Sequence, residues 1–157
     1  MKRSVRKGLG FGLTSGVITT LGVLVGLNSS THSRLVVVGG IILVAVADAL
    51  SDSLGIHISE EFSLKKKELV WQATIVTFFA KFITALTFIV PFLFLDLFPA
   101  IILCIVWGLL LITVFSYKMS KQRNSKPHKA IIEHLGIAIL VIVITFYLGK
   151  LIAIVFS

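Results

Sequence analysis

Hydrophobic positions along this chain gather into five long runs, at about residues 8–27, 35–58, 69–95, 100–117 and 130–154, joined by short polar connections. Each is close to or above the roughly 20 residues that a helix rising about 1.5 Å per residue needs to cross a hydrocarbon core. The pattern predicts an all-α integral membrane protein, one domain over residues 1–157 built as a bundle of five transmembrane helices. Glycines punctuate the first run at Gly8, Gly12, Gly16, Gly22 and Gly26, within one arc that also takes in Ser15 and Thr19. Small residues spaced in this way let helix backbones meet, inside one chain or between two. The fourth run is almost featureless and reads as a structural helix.

Composition supports the membrane assignment, since 57% of the residues are hydrophobic and the mean hydropathy is +1.04, against roughly 45–50% apolar content in a soluble domain. A formal charge of +8 would suit a nucleic-acid binder, but the placement of the bases argues against one. Lys2, Arg3, Arg6 and Lys7 precede the first run, Lys65, Lys66 and Lys67 follow the second, and Lys118, Lys121, Arg123, Lys126 and Lys129 precede the fifth. Arg34 stands alone in the first connection, and the third has no base. With five crossings the three clusters share one side. The positive-inside rule then sets the N-terminus in the cytosol and the C-terminus outside, in the cell membrane if the source is prokaryotic. A secretory signal is the competing reading of the first run, but the run exceeds the usual 7–15 apolar residues or so and NSSTHS offers no small-x-small cleavage site. Cys104 is the only cysteine and lies in an apolar run, which excludes an intramolecular disulfide and a thiolate metal cluster and points to packing.

Charges inside the runs carry the candidate chemistry. Asp48 and Asp52 lie about 20 Å or more along the second helix, share a face at i, i+4, and have Ser51, Gly55 and Ser59 beside them. A carboxylate in a span must face protein, water or a partner charge, which makes it a candidate for an ion or proton path. Lys81, midway along the third run, either pairs with Asp48 or Asp52 or snorkels to an interface. His57 precedes Glu60 and Glu61 at i, i+3 and i, i+4, a spacing that can gather a metal or simply mark a solvated helix end. Trp71 falls where an interfacial aromatic sits. Pro127 suits a helix start, and Glu133 then lies in the first turns, as a dipole-stabilising carboxylate or part of a pathway. No nucleophile stands at a workable spacing from a base and no cofactor motif occurs, so neither an enzyme nor a bound cofactor is expected.

The order of these features resembles the vacuolar iron transporter family, five-span proteins that export ferrous iron or manganese from the cytosol, usually in exchange for protons. Thr14 to Thr20 and Gly26 stand where that family has its first-span motif. Ala47, Ala49, Ser51, Gly55 and Ser59 match its second-span motif, Thr77, Phe78 and Pro91 its third, and Pro127, Glu133 and Leu135 its fifth. Departures are equally specific. Ser15 replaces the family's first-span aspartate, Asp52 its methionine, Ile56 its glutamate and His57 its tyrosine, while Asp48 is an added carboxylate. The family's cytosolic metal-binding insert between spans two and three has no counterpart in the short stretch from Glu61 to Lys65.

The resemblance implies a homodimeric exporter of divalent cations working by proton exchange, with the first and second spans at the seam. Asp48 and Asp52 would be oxygen ligands, Ser15, Thr19 and Ser51 neutral ones, and Glu60, Glu61 and Glu133 would stand near the cytosolic mouth. Replacing a methionine sulfur by a carboxylate shifts the expected preference toward harder ions, so that manganese is accepted at least as well as iron. The alternative is a diverged, non-transporting membrane protein in which Asp48 and Lys81 lock the bundle.

Overall fold

The computed structural model describes residues 3–63, 66–122 and 125–156. Lys2, Lys65 and Arg123, counted above among the clustered bases, lie outside the described residues. Six helices follow in order: α1 (Arg3–Thr31), α2 (Arg34–Ser63), α3 (Lys67–Thr87), the short α4 (Val90–Phe94), α5 (Leu97–Gln122) and α6 (Pro127–Phe156). With α3 and α4 counted as one stretch, five helical stretches of 26–30 residues are long and apolar enough to cross a membrane. No strand occurs among the described residues.

α1, α2, α5 and α6 each outrun at both ends the apolar run that predicts them, while the third stretch begins earlier than its run and ends at Phe94. Polar residues at the ends continue a helix readily when they are good helix formers, as with Lys118, Lys121 and Gln122 at the end of α5. Lys121 in that last turn also complements the helix dipole. α1 closes where His32 turns to a left-handed φ of 50°, its N–H donating to Asn28 O at 3.0 Å.

Pro91 breaks the third stretch internally instead of ending it. Proline has no N–H and its ring crowds the carbonyl four residues back, here Thr87, the last residue of α3. The chain tightens at that point, with Phe88 N–H donating to Ala85 O and Ile89 N–H to Leu86 O, both at 3.1 Å. The Phe88 carbonyl, freed from the helical ladder, takes the Cys104 thiol of α5 at 3.3 Å. Cys104 is thus a buried donor in the core, beside Phe88, Phe92 and Ala100.

α1 is the hub, packed against α2, α3, α5 and α6. Its glycines make this possible. A Cβ on Gly12 would lie 2.7 Å from Thr77 O of α3, and one on Gly16 3.2 Å from Lys81 O. Farther along, Gly22 and Gly26 face Val141 and Thr145 of α6. The glycine face is therefore occupied within the chain and is not free to meet a second subunit. The core around it holds Val17, Leu21, Leu24, Ile41 and Ile112, while large apolar side chains such as Leu43, Leu54, Phe79 and Ile139 cover the exterior.

Candidate functional site

Ser15, Asp48, Asp52 and Lys81 come together where α1, α2 and α3 meet. The local cause is the Gly12 and Gly16 contact, which brings the α3 backbone against α1 and sets Lys81 beside Ser15. Lys81 is fully enclosed, at 1% exposure. Its ammonium forms an ion pair and hydrogen bond with Asp52 Oδ2, donates to Ser15 Oγ at 2.9 Å, and lies 2.5 Å from Asp48 Oδ2. Ser15 in turn donates to Asp52 Oδ2 at 2.7 Å. Lysine, serine and Asp52 thus form a closed three-member ring, so Lys81 pairs with both aspartates and does not snorkel.

The two carboxylates are unequal. Asp52 accepts two aligned hydrogen bonds, whereas Asp48 Oδ2 is buried and has no hydrogen-bond partner despite the nearby ammonium. Their side chains remain 22% and 30% exposed, respectively, beside a lysine side chain at 2%. The inward face of α2 runs through Ile41, Ala45, Ala49 and Ser53, and the aspartates lie on its flank. The predicted polar stripe straddles that edge: Asp52 turns in, while Ser51, Gly55 and Ser59 are exposed. Thr19, one turn beyond Ser15, is half-buried.

At the end of α2 the residues proposed as a metal cluster go separate ways. Glu60 is buried at 2% exposure and pairs with Lys7 of α1. His57 Nδ1 lies 2.9 Å from Thr74 Oγ1, whose own proton goes to Val70 O, so Nδ1–H is the donor. The His57 ring also meets Trp71 edge-on at 4.7 Å. Glu61 is exposed. The end is therefore neither a metal cluster nor a fully solvated terminus, because Glu60 cross-links α2 to α1. Sequence reading missed this pair, whose signal lay in the basic cluster around Lys7.

Glu133 is exposed at the start of α6 and lines, with His134, Ser116, Ser120 and Lys129, a cavity of about 310 Å³. His134 Nδ1 is 2.8 Å from Ser116 Oγ. This cavity stands apart from the Lys81 cluster. Among the described residues no three His, Cys, Asp or Glu side chains converge in the way a metal site requires. The Lys81 cluster instead offers two carboxylates and one hydroxyl already gathered around a cation, with one carboxylate oxygen lacking a hydrogen bond. Compared with known proteins, the chain matches no family model and no curated sequence.

Proposed function

We propose that this chain is a multi-pass membrane transporter that exports divalent metal cations, iron or manganese, from the cytosol in exchange for protons. The supporting observation is the pair of partly exposed aspartates held around the enclosed Lys81 ammonium, midway along helices otherwise built to be apolar. Charge at such a depth costs several kcal/mol or more unless it is paired and serves a path. Lys81 acts as the resident cation. With both carboxylates ionised and Lys81 protonated, the cluster carries one excess negative charge, and an incoming divalent ion competes with the ammonium and with protons for the same oxygens. A divalent ion that takes those oxygens drives a proton off the Lys81 ammonium, and that release couples metal movement to a pH gradient.

The exposed edge of α2 supports the homodimer in the same reading. Asp48, still partly exposed, cannot face lipid comfortably, and a second copy laid along α2 over Ser51, Gly55 and Ser59 covers it and brings a second set of carboxylates to the path. The seam then lies on α2, since the glycines of α1 are engaged by α3 and α6.

Purified protein in liposomes, given an outward or inward pH gradient, tests the proposal through uptake of iron(II), manganese(II), zinc and cobalt. Wild type moves manganese at least as fast as iron. Asp48→Asn lowers uptake of every ion at least tenfold with the fold intact, and Asp52→Met turns the order back toward iron. A second reading, a bundle whose charges only lock three helices, draws on the ring of bonds around Lys81. Unchanged ion fluxes in wild-type and empty liposomes would favour that lock.

A further inference from the structure

At the opposite end of the bundle from Lys7 and Glu60, two cavities of about 430 and 390 Å³ share Asn28, Phe98 and Phe146 and so form one cleft between α1, α5 and α6. Its inner part is lined by aliphatic and aromatic groups including Ile102, Ile105 and Val143. Its outer part carries Asn28, Ser29, His32 and Lys150. The cleft opens sideways, because Ile102, Val143 and Phe98 are all substantially exposed.

The polar mouth is built by the close crossing of α1 and α6. Gly149 presses against Gly26 and Ser29, leaving no room for a Cβ, and this holds the neighbouring Phe146 and Lys150 over the cleft. Lys150 has no ion-pair partner among the described residues. Its ammonium lies instead 4.6 Å from the centre of the Phe146 ring, a cation–π contact that keeps it at the mouth. Asp96, just before Leu97 at the rim, is not paired with it. The left-handed turn at His32 ends α1 there and adds an imidazole to the mouth beside Asn28 and Lys150. An apolar slot beneath an unpaired cation complements one class of molecule: an acyl chain joined to an anionic head.

We infer that this cleft binds an anionic phospholipid, one acyl chain lying between Ile102, Ile105 and Val143 and the phosphate resting at Lys150. The inference rests only on the membrane placement in the proposed function and not on metal transport. The occupant fills a gap beside α6, the least covered of the five stretches at 6% burial, and so ties it to α1 and α5.

Native mass spectrometry of the detergent-solubilised full chain tests it, with phosphatidylglycerol and phosphatidylcholine of identical acyl chains as probes. Wild type retains one phosphatidylglycerol at detergent levels that strip phosphatidylcholine, by at least fivefold. Lys150→Gln removes that preference, and Val143→Phe, which fills the slot from its exposed wall, lowers retention of both lipids. Lys150→Arg keeps it. Equal retention of the two lipids by wild type, or an unchanged preference in Lys150→Gln, overturns the site. Should Lys150→Gln not yield intact protein, the Val143→Phe result decides alone, since unchanged retention there also overturns it. Competition by glycerol phosphate as strong as by the intact lipid would reduce it to a free-anion site and likewise overturn it. Protein that stays monodisperse without detergent would sink the membrane reading itself, a distinguishable failure.

Discussion

Lys81 shows how one residue ties three helices together. Its ammonium cannot be left unpaired, because removing one partner of a buried pair typically costs about 3–5 kcal/mol. Asp52 carries two of the aligned bonds in the ring and Asp48 none, so the two positions respond differently. Asp52→Asn is expected to destabilise the bundle by about 3 kcal/mol and Asp48→Asn by about 1, at the low end of what a lost ionic contact costs. Removing the whole cluster, as Asp48→Asn, Asp52→Asn and Lys81→Met together, should be less harmful than Asp52→Asn alone, since no buried charge is then left without its partner. Thermal unfolding in detergent, followed by helicity, measures all of these. A triple variant less stable than Asp52→Asn contradicts the account. Asp48, an ion-pair contact of Lys81 without an aligned hydrogen bond, is therefore the carboxylate whose neutralisation is expected to test the proposed transport with least damage to the fold.

Among the elements, α1 is the one that tolerates least change. A Cβ at Gly12 meets backbone of α3 at 2.7 Å, and backbone cannot swing aside as a side chain can. Gly12→Leu and Gly16→Leu should therefore abolish the folded bundle and not merely loosen a dimer. Gly55 is the contrast: nothing lies within 4 Å of a Cβ built there. Gly55→Ala should raise stability of the single chain by up to about 1 kcal/mol through helix propensity, while Gly55→Trp should prevent the proposed dimer along α2 without unfolding the chain. Size-exclusion chromatography with light scattering reads the second effect, and an unchanged dimer in Gly55→Trp moves the seam elsewhere. The five stretches were legible because each run is long and apolar enough to stand out despite the few charges inside it. Their ends were less so: helices continue through polar residues such as Lys118 to Gln122 that hydropathy treats as loop. Pro91 stands inside the third run, but the tightened turn before it and the short helix α4 through it are seen only in the structure. The glycines announced close approach without naming the partner helix. Of the site, Asp48, Asp52 and Lys81 were each legible as charges inside apolar runs and Ser15 only through the small-residue arc and the family resemblance, whereas the Lys7 to Glu60 pair was hidden because both residues look like ordinary charged ends.

For the molecule as a whole, the remaining asymmetry is electrical. Arg6, Lys7, Lys66, Lys67, Lys118, Lys121, Lys126 and Lys129 lie at the start of α1, the α2 to α3 connection and the α5 to α6 connection. Three contacts bring these places to one end: Lys7 with Glu60 joins α1 to α2, Met119 lies against Gly10 of α1, and Ser116 meets His134 of α6. The other end carries Arg34, Lys150, His32 and Asp96, and is far less basic. By the positive-inside rule, the proposed membrane placement is expected to put this basic end on the cytosolic side. In that orientation the Lys7 to Glu60 pair would stand at the cytosolic end of the α1, α2 and α3 junction, and the proposed lipid cleft at the outer face. Single cysteines in a Cys104→Ser background measure it: Asp96→Cys should react with a membrane-impermeant maleimide on intact cells, and Lys126→Cys only after the membrane is opened. The reverse pattern inverts the transport direction argued above, because a metal would then reach Asp48 and Asp52 from outside past Lys7. Reaction of both cysteines on intact cells would mean that the number of crossings between α5 and its neighbours is wrong, and with it the shared end on which the three basic clusters meet.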